Sequence, residues 1–317
     1  MIEKIVVIDD FISAPILIQS LAAHGVTAEV EVVDEIPAGR GIIALLVGPE
    51  TTVLTNKHLD QLPDLRVLSA TSAGDDHLPL QAAGARGLRV TRAAGYCTEE
   101  VADHALASIL GLLRSTAALD AMVRTGRWDV TAAPPRRIAG TVLGIYGLGR
   151  VGTALAARAR ALGMTVLACG RSLSNSGELA ASGVNAVELP ELLQRSDVLS
   201  LHVPLTDQTR GLIDAAALAA MPPGSYLVNV ARGELIDSAA LGAALRSGHL
   251  AGAAIDVLPQ EPPAPNDPIL TFPNLVITPH AAWYSPEASA ALARHVAADV
   301  AAVLAEPPFV DGRRGSR

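Results

Sequence analysis

The stretch "GIYGLGRVG", residues 144–152, decides how the rest of the chain is read. It sets Gly147, Gly149 and Gly152 in the G-x-G-x-x-G spacing. An apolar run, 141–146, leads into it, and an amphipathic pattern, "RVGTALAARARALG", leaves it and stops at Gly163. The three glycines serve different physical ends. Gly147 permits the tight turn, Gly149 lets backbone approach a pyrophosphate, and Gly152 lets helix and sheet pack closely. Arg150 and Val151 open the helix, whose first N–H groups lack intrahelical partners and favour an anion. Glycines at this spacing also occur in plain tight turns. A strand before, a helix after and another apolar run at 164–169 supply the context that a dinucleotide site requires.

Outward from this turn the same alternation continues. Apolar runs at 198–202, 226–230, 251–257 and 275–278 are separated mostly by helical patterns. Upstream, "EKIVVID", "TAEVEVV", "IIALLVG", "RVLSA" and "LRVTR" read as strands, with helical stretches such as "APILIQSLAAHG" between them. Alternation of this kind builds parallel strands with right-handed helical crossovers. The expectation is an α/β protein with two doubly wound parallel-sheet domains, the chain crossing between them near Gly95. One long helix is expected over 98–124, capped by Thr98 and favoured by Glu99 and Glu100 at its positive end. A last helix follows Ser285 as cap and Pro286 in the first turn.

The bulk numbers exclude several classes. With 32 acidic against 24 basic residues and a net charge of −8, the chain lacks the basic excess that nucleic acid rewards. The closing "DGRRGSR" reads as a solvated terminus rather than a binding arm. We read no signal peptide and no apolar run long enough to cross a membrane, hence no membrane partner and a cytoplasmic location. Cys97 and Cys169 sit in unrelated surroundings and suggest neither a disulfide framework nor a metal site.

The strand after the glycine turn ends in "VLACGRS", residues 166–172. A dinucleotide site normally places an acid here for the adenosine ribose. Gly170 holds that position, and Arg171 and Ser172 follow. Loss of the anion and gain of a guanidinium and a hydroxyl suit a 2′-phosphate, so NADPH is expected in preference to NADH, with NADH possible. The plainer reading is a surface arginine beside a turn glycine.

Three polar groups lie downstream, each at a strand end or in its following loop: Arg232 in "LVNVARGELID", Glu261 in "AIDVLPQEPP" and His280 in "VITPHAAW". Singly they read as a loop arginine, a solvated acid and a turn-capping histidine. Together, Arg232 can grip a carboxylate or ketone oxygen and His280 can give a proton to a carbonyl being reduced. Glu261 can then hold the imidazole in its charged form. That set describes hydride transfer to a 2-oxo acid.

With "TSAGDDHL", "VADHALASILGLLR", "LHVPLTDQTRGLI", "MPPGSYLVNVARGELID", "GAAIDVLPQEPP" and "TPHAAW" in order around the glycine turn, the sequence resembles the D-isomer-specific 2-hydroxyacid dehydrogenase family over nearly its whole length. The resemblance implies Arg232, Glu261 and His280 in the roles just given. It implies that N–H groups around Ser72, Ala73 and Gly74 bind the substrate carboxylate. On the cofactor side, His202, Val203 and Pro204 line the adenine, Thr209 lies near the phosphates, Val230 and Arg232 flank the nicotinamide, Ala231 between them belongs to the cofactor site, and Asp256 holds the carboxamide. It further implies a homodimer formed through the cofactor domain with help from the long helix. The expected domains are a flavodoxin-like substrate domain, 1–97 plus 285–317, and a Rossmann cofactor domain, 98–284.

Two departures matter. The Gly-Arg-Ser turn is similar to that of NADPH-using glyoxylate and hydroxypyruvate reductases of the family. "HAAW" resembles the C-terminal-binding corepressors, which puts Trp283 either beside the substrate side chain, favouring a larger apolar 2-oxo acid, or in simple packing. The corepressor likeness also keeps open a cofactor-sensing dimeric scaffold with little turnover. Glu261 stands where formate dehydrogenases of the family carry Gln, which disfavours formate.

Overall fold

The computed structural model describes residues 2–49, 53–170 and 183–306. The chain divides into two compact units, Met1–Cys97 with Tyr284–Arg317, and Thr98–Trp283. The second crossing falls one residue earlier than the sequence suggests. Tyr284 goes with the first unit, its ring edge-on to Phe11 at 6.2 Å.

The first unit holds β1 (Lys4–Ile8), β2 (Glu29–Val32), β3 (Ile42–Val47), β4 (Val67–Ala70) and β5 (Arg89–Arg92). All pair in parallel in the order β2-β1-β3-β4-β5, the flavodoxin-like arrangement. Central β3, "IIALLV", is buried at every position, as a strand covered on both faces requires. Edge strand β2, "EVEV", carries charge where its neighbour is water. Helices α1 (Ala14–Ala23), α2 (Asn56–Asp60) and α3 (Leu80–Ala85) connect the strands.

The second unit opens with α4 (Thr98–Leu113) and α5 (Thr116–Arg124). The single helix expected over 98–124 is therefore two, bent by 58° at Ser115, whose φ is +53°. The Leu113 carbonyl accepts from Arg136 N at 2.6 Å, so the returning chain takes the place of the next helical turn. α5 buries none of its side chains, so among the described residues no core contact holds it in line with α4. Thr98, expected as the cap, already lies inside the helix.

The sheet then forms from β6 (Val142–Tyr146), β7 (Thr165–Cys169), β8 (Asn185–Ala186), β9 (Val198–Leu201), β10 (Ser225–Asn229), β11 (Leu250–Ile255) and β12 (Leu275–Ile277). Helices α6 (Arg150–Ala161), α7 (Leu189–Arg195), α8 (Ala215–Ala220) and α9 (Ser238–Arg246) connect them. The order β8-β7-β6-β9-β10-β11-β12, parallel throughout, is the Rossmann order with one added strand. Side-chain alternation divides the strands between two cores. Val166 and Ala168 join Leu143, Ile145, Ile109 and Leu155 on the α4/α6 face. Leu167 joins Leu199, Leu227, Leu192 and Leu241 on the face of α7, α8 and α9.

The closing helix, α10 (Pro286–Ala305), starts at Ser285, whose side chain caps Ala288 N at 2.9 Å. With mean hydropathy 1.4 it is long and apolar enough to cross a membrane by length and composition, contrary to the sequence reading. Its buried stripe, Ala288, Leu292, Ala293, Val296, Ala297 and Val300, keeps helical period. That face packs against α1 and strands β4 and β5, so its apolar character serves the core of the first unit.

Candidate active site

Tyr146 ends β6, and the chain turns at once through Gly147 (φ +104°) into α6. A Cβ on Gly147 would stand 2.6 Å from the His202 carbonyl oxygen, and one on Gly152 would collide with the Gly147 carbonyl. Both glycines are thus demanded by the fold. Gly149 is different: a Cβ there meets nothing within 4 Å among the described residues. Gly149 N-caps α6 without a side-chain acceptor, and the first turn carries no acid. The uncapped N–H groups of α6, with open space beside Gly149, fit a dinucleotide pyrophosphate. Arg150 is exposed and Val151 half-buried in that first turn. Gly170 follows β7, and a Cβ there would lie 3.6 Å from Leu148 N, an ordinary contact. Among the described residues, nothing in the packing requires glycine at 170. Arg171 and Ser172, the rest of the turn read as a phosphate site, lie outside the described residues.

Beyond β9, His202 is half-buried with Nε2 2.8 Å from Ser200 Oγ. Burial pushes its pKa down to about 4, so the imidazole is neutral at physiological pH. Thr209 spends its hydroxyl within the loop: it donates to Pro204 O and accepts from Thr206 N, each at 2.8 Å. Those bonds brace the loop that carries Val203 and exposed Pro204.

The strand-end loops after β10, β11 and β12 bring the three polar residues together. His280 Nδ1 lies 2.6 Å from Glu261 Oε2, while Glu261 Oε1 accepts from Leu258 N at 2.7 Å. Burial works against the charge on His280, but the hydrogen bond and charge of Glu261 outweigh it, and its pKa rises above the usual histidine value. Arg232 pulls it the other way and Asp256 adds to the rise. Burial likewise works against the Glu261 carboxylate, yet His280, the Leu258 N–H and the Arg232 charge hold its pKa below normal. Both shifts favour an imidazolium–carboxylate pair in which Nε2 is the ring nitrogen not engaged by Glu261, with a guanidinium close enough to act on both.

Asp256 and several residues that sequence reasoning passed over build this geometry. Asn229 is fully buried, donates to Arg232 O at 2.8 Å and accepts from Ala231 N at 3.0 Å, fixing the loop that includes Val230. A Cβ on Gly233 would collide with the backbone of Leu258 and Pro259, so the Arg232 and Glu261 loops lie in direct contact. His280 itself sits at φ +51°, a conformation unfavourable to a side chain of its size. Asp256 holds it there. Its carbonyl accepts from His280 N, and its buried carboxylate accepts from Thr278 Oγ1 at 2.5 Å, Ala281 N at 2.9 Å and Ala282 N at 2.8 Å. Thr278 in turn accepts from His104 Nε2 at 3.1 Å. Asp256 is therefore committed to the chain's own donors, beside the carboxamide role that the resemblance implies. The only sequence signal for Asn229 is its place three residues before Arg232.

Trp283 follows this loop, half-buried, as the last residue of the second unit. In the first unit, Ser72, Ala73 and Gly74 follow β4. Ser72 Oγ donates to Gly74 O at 2.7 Å, and the three N–H groups find no acceptor among the described residues. Also among the described residues, no group of His, Cys, Asp and Glu is placed to hold a metal.

Comparison with known proteins agrees with this architecture. Residues 106–282 match the family model described as D-isomer specific 2-hydroxyacid dehydrogenase, NAD binding domain. A glyoxylate reductase of Thermofilum pendens is 37% identical over 250 residues, 78% of this chain and 74% of the relative. A glycerate dehydrogenase of Methylorubrum extorquens is 38% identical over 258 residues, 79% of each. A crystal structure of a Thermus thermophilus protein superposes with TM-score 0.83 and 33% identity over 95% of this chain and 96% of that one. The glycine turn, the Rossmann strand order and these matches lead to one conclusion: the chain belongs to the D-isomer-specific 2-hydroxyacid dehydrogenase family and is an enzyme with an NAD(P)-binding second unit.

Proposed function

We propose that this enzyme reduces a 2-oxo acid to the D-2-hydroxy acid and prefers NADPH to NADH. The observation that carries the reading is the 2.6 Å pair between His280 Nδ1 and Glu261 Oε2, with the Arg232 charge acting on both. A bound nicotinamide dinucleotide supplies the hydride. The chain's own residues do the rest. Arg232 holds the carbonyl or carboxylate oxygen, His280 gives a proton from Nε2 to the forming alkoxide, and Glu261 keeps that imidazole charged and oriented. The N–H groups of Ser72, Ala73 and Gly74 take the substrate carboxylate, making the first unit the substrate domain and the second the cofactor domain. Glyoxylate and hydroxypyruvate are the first substrates to try, with Trp283 favouring somewhat larger acids.

The preference for NADPH rests on Gly170, which packing among the described residues does not require, and on the Arg171 and Ser172 that follow it. We read the enzyme as a homodimer formed through the second unit. α5 buries no side chain, and Val123, Trp128 and Val130 stand exposed on and just after it, Trp128 at 89%. The test is a panel of glyoxylate, hydroxypyruvate, pyruvate and longer 2-oxo acids, each with NADPH and NADH. Turnover with at least one acid, faster with NADPH, is expected. Dinucleotide binding without turnover of any acid overturns the reading in favour of a scaffold.

A further inference from the structure

Asp9 lies just past β1 in the first unit and is only 7% exposed. Donors from two strand ends hold its carboxylate. Oδ1 accepts from Phe11 N at 2.7 Å and Ile12 N at 3.2 Å, and Oδ2 accepts from Thr71 Oγ1. Thr71 is itself buried and bonded through its N–H to Val47 O at 3.0 Å. At the end of β3, a Cβ on Gly48 would stand 3.1 Å from Asp9 Cγ, so glycine leaves the carboxylate its room. The ends of β1, β3 and β4 thus meet on one buried side chain.

That meeting point has a special place in the sheet. In the order β2-β1-β3-β4-β5 the chain leaves β1 toward one edge and β3 toward the other. Parallel sheets take ligands in the crevice where the order reverses, outside the carboxyl ends of the strands. Thr71 is also the residue immediately before the 72–74 loop. On its far side that loop is tied by Ala93 N to Ser72 O at 3.0 Å. Its hydroxyl and the carbonyls of Ser72 and Gly74 are occupied, while its N–H groups face no acceptor among the described residues. Consecutive N–H groups left open in a bend form an anion-binding concavity, provided the backbone is held in place.

We infer that Asp9, acting through Thr71, is a positioning residue that sets the 72–74 loop to receive the substrate carboxylate. The inference rests on the loop's role under Proposed function. Burying a carboxyl group is costly unless its bonds serve a purpose that water cannot. Capping a surface turn needs no such burial. Fixing a loop to a fraction of an ångström does.

The test is steady-state kinetics on Asp9→Asn, Thr71→Val and Thr71→Ser in the full enzyme, with the best 2-oxo acid and NADPH. Asp9→Asn and Thr71→Val should each raise KM for the 2-oxo acid about tenfold, the scale of one lost buried hydrogen bond. The KM for NADPH should stay put and kcat should change less. Thr71→Ser keeps the hydroxyl and should restore KM to near the parent value. Because Thr71→Val exchanges only the hydroxyl for a methyl, it stands in should Asp9→Asn fold poorly. Lower melting temperatures with unchanged KM would mean a structural role and overturn the inference. Absence of turnover in the unaltered enzyme would overturn the functional reading and this inference with it. Unchanged KM in variants of an active enzyme overturns this inference alone.

Discussion

In the first unit, the open N–H groups follow β4 and are steadied by a side chain from the end of β1, sixty-two positions away from its partner Thr71. In the second, they follow β6 at the uncapped start of α6 and are shaped by glycines within a single nine-residue stretch. Both units are doubly wound parallel sheets, and both leave donors at a strand end where an anion can settle. The difference lies in where the rigidity comes from. Glycine removes side chains so that backbone meets backbone, and the constraint is local. A buried carboxylate joins distant segments, and the constraint exists only once the sheet has formed.

The largest effect should come from the proton donor. His280→Ala removes the Nε2 proton, and kcat should fall by about 10²–10⁴-fold. Cofactor titration should show dinucleotide binding intact, since the glycine turn is untouched. Undiminished turnover would remove His280 from the mechanism and leave the strand-end loops of the second unit without a chemical role. The pH dependence sharpens the point. Reduction needs the imidazolium, so kcat/KM for the 2-oxo acid should be flat at lower pH and fall as pH rises through the elevated His280 pKa. Glu261→Gln removes the main group that raises it and leaves burial and Arg232 pushing down against Asp256 alone. The falling limb should then move to lower pH. A limb that stays where it was would exclude Glu261 as the tuning group.

Within the glycine turn the comparison can be broken one residue at a time. Gly152→Ala puts a methyl into the Gly147 carbonyl and should destabilise the fold by roughly 2–3 kcal/mol in denaturant unfolding. Gly149→Ala meets no atom of the described residues within 4 Å and should cost less than about 1 kcal/mol. Its methyl enters the space assigned to the pyrophosphate, so NADPH affinity should drop about tenfold or more by titration, each tenfold being about 1.4 kcal/mol. Equal stability losses, or normal dinucleotide affinity in Gly149→Ala, would refute the division between a glycine kept for packing and one kept for the ligand.

How much of this the sequence carried follows from the same contrast. Both sheets were legible because strands covered on two faces become unbroken apolar runs, "IIALLV" at β3 being the clearest. The glycine turn was legible because its spacing is local. Arg232, Glu261 and His280 could be picked out as polar groups at strand ends, but their meeting was not written in the spacing. It depends on Gly233 lying against Leu258, on Asn229 under the Arg232 loop and on Asp256 holding His280 at φ +51°. The bend at Ser115 escaped for a related reason. Its cause is the bond from Arg136 N to Leu113 O, which a window on 98–124 cannot contain. β8, with two residues, is too short for any pattern. Asp9 carries no motif, Thr71 only opens "TSAGDDHL", and it is the folded sheet that brings the two together.

The smallest predicted effect belongs to the position where sequence and packing diverge most. Gly170 has ordinary room for a side chain. A Cβ added there would lie 3.6 Å from Leu148 N and 3.7 Å from Gly147 Cα, so among the described residues steric need does not explain the glycine. A carboxylate there would sit beside the glycine turn, could accept from ribose hydroxyls and would repel a 2′-phosphate. Gly170→Asp combined with Arg171→Ala should therefore leave the melting temperature unchanged. The ratio of kcat/KM values should shift toward NADH by about tenfold, the scale of one charge-assisted hydrogen bond. An unmoved preference for NADPH would show that the 2′-phosphate is recognised elsewhere. A shift accompanied by unfolding would show that Gly170, like Gly152, is kept for the fold. Only a shift without loss of stability places Gly170 with Gly149, among the glycines whose absent side chain is defined by the ligand.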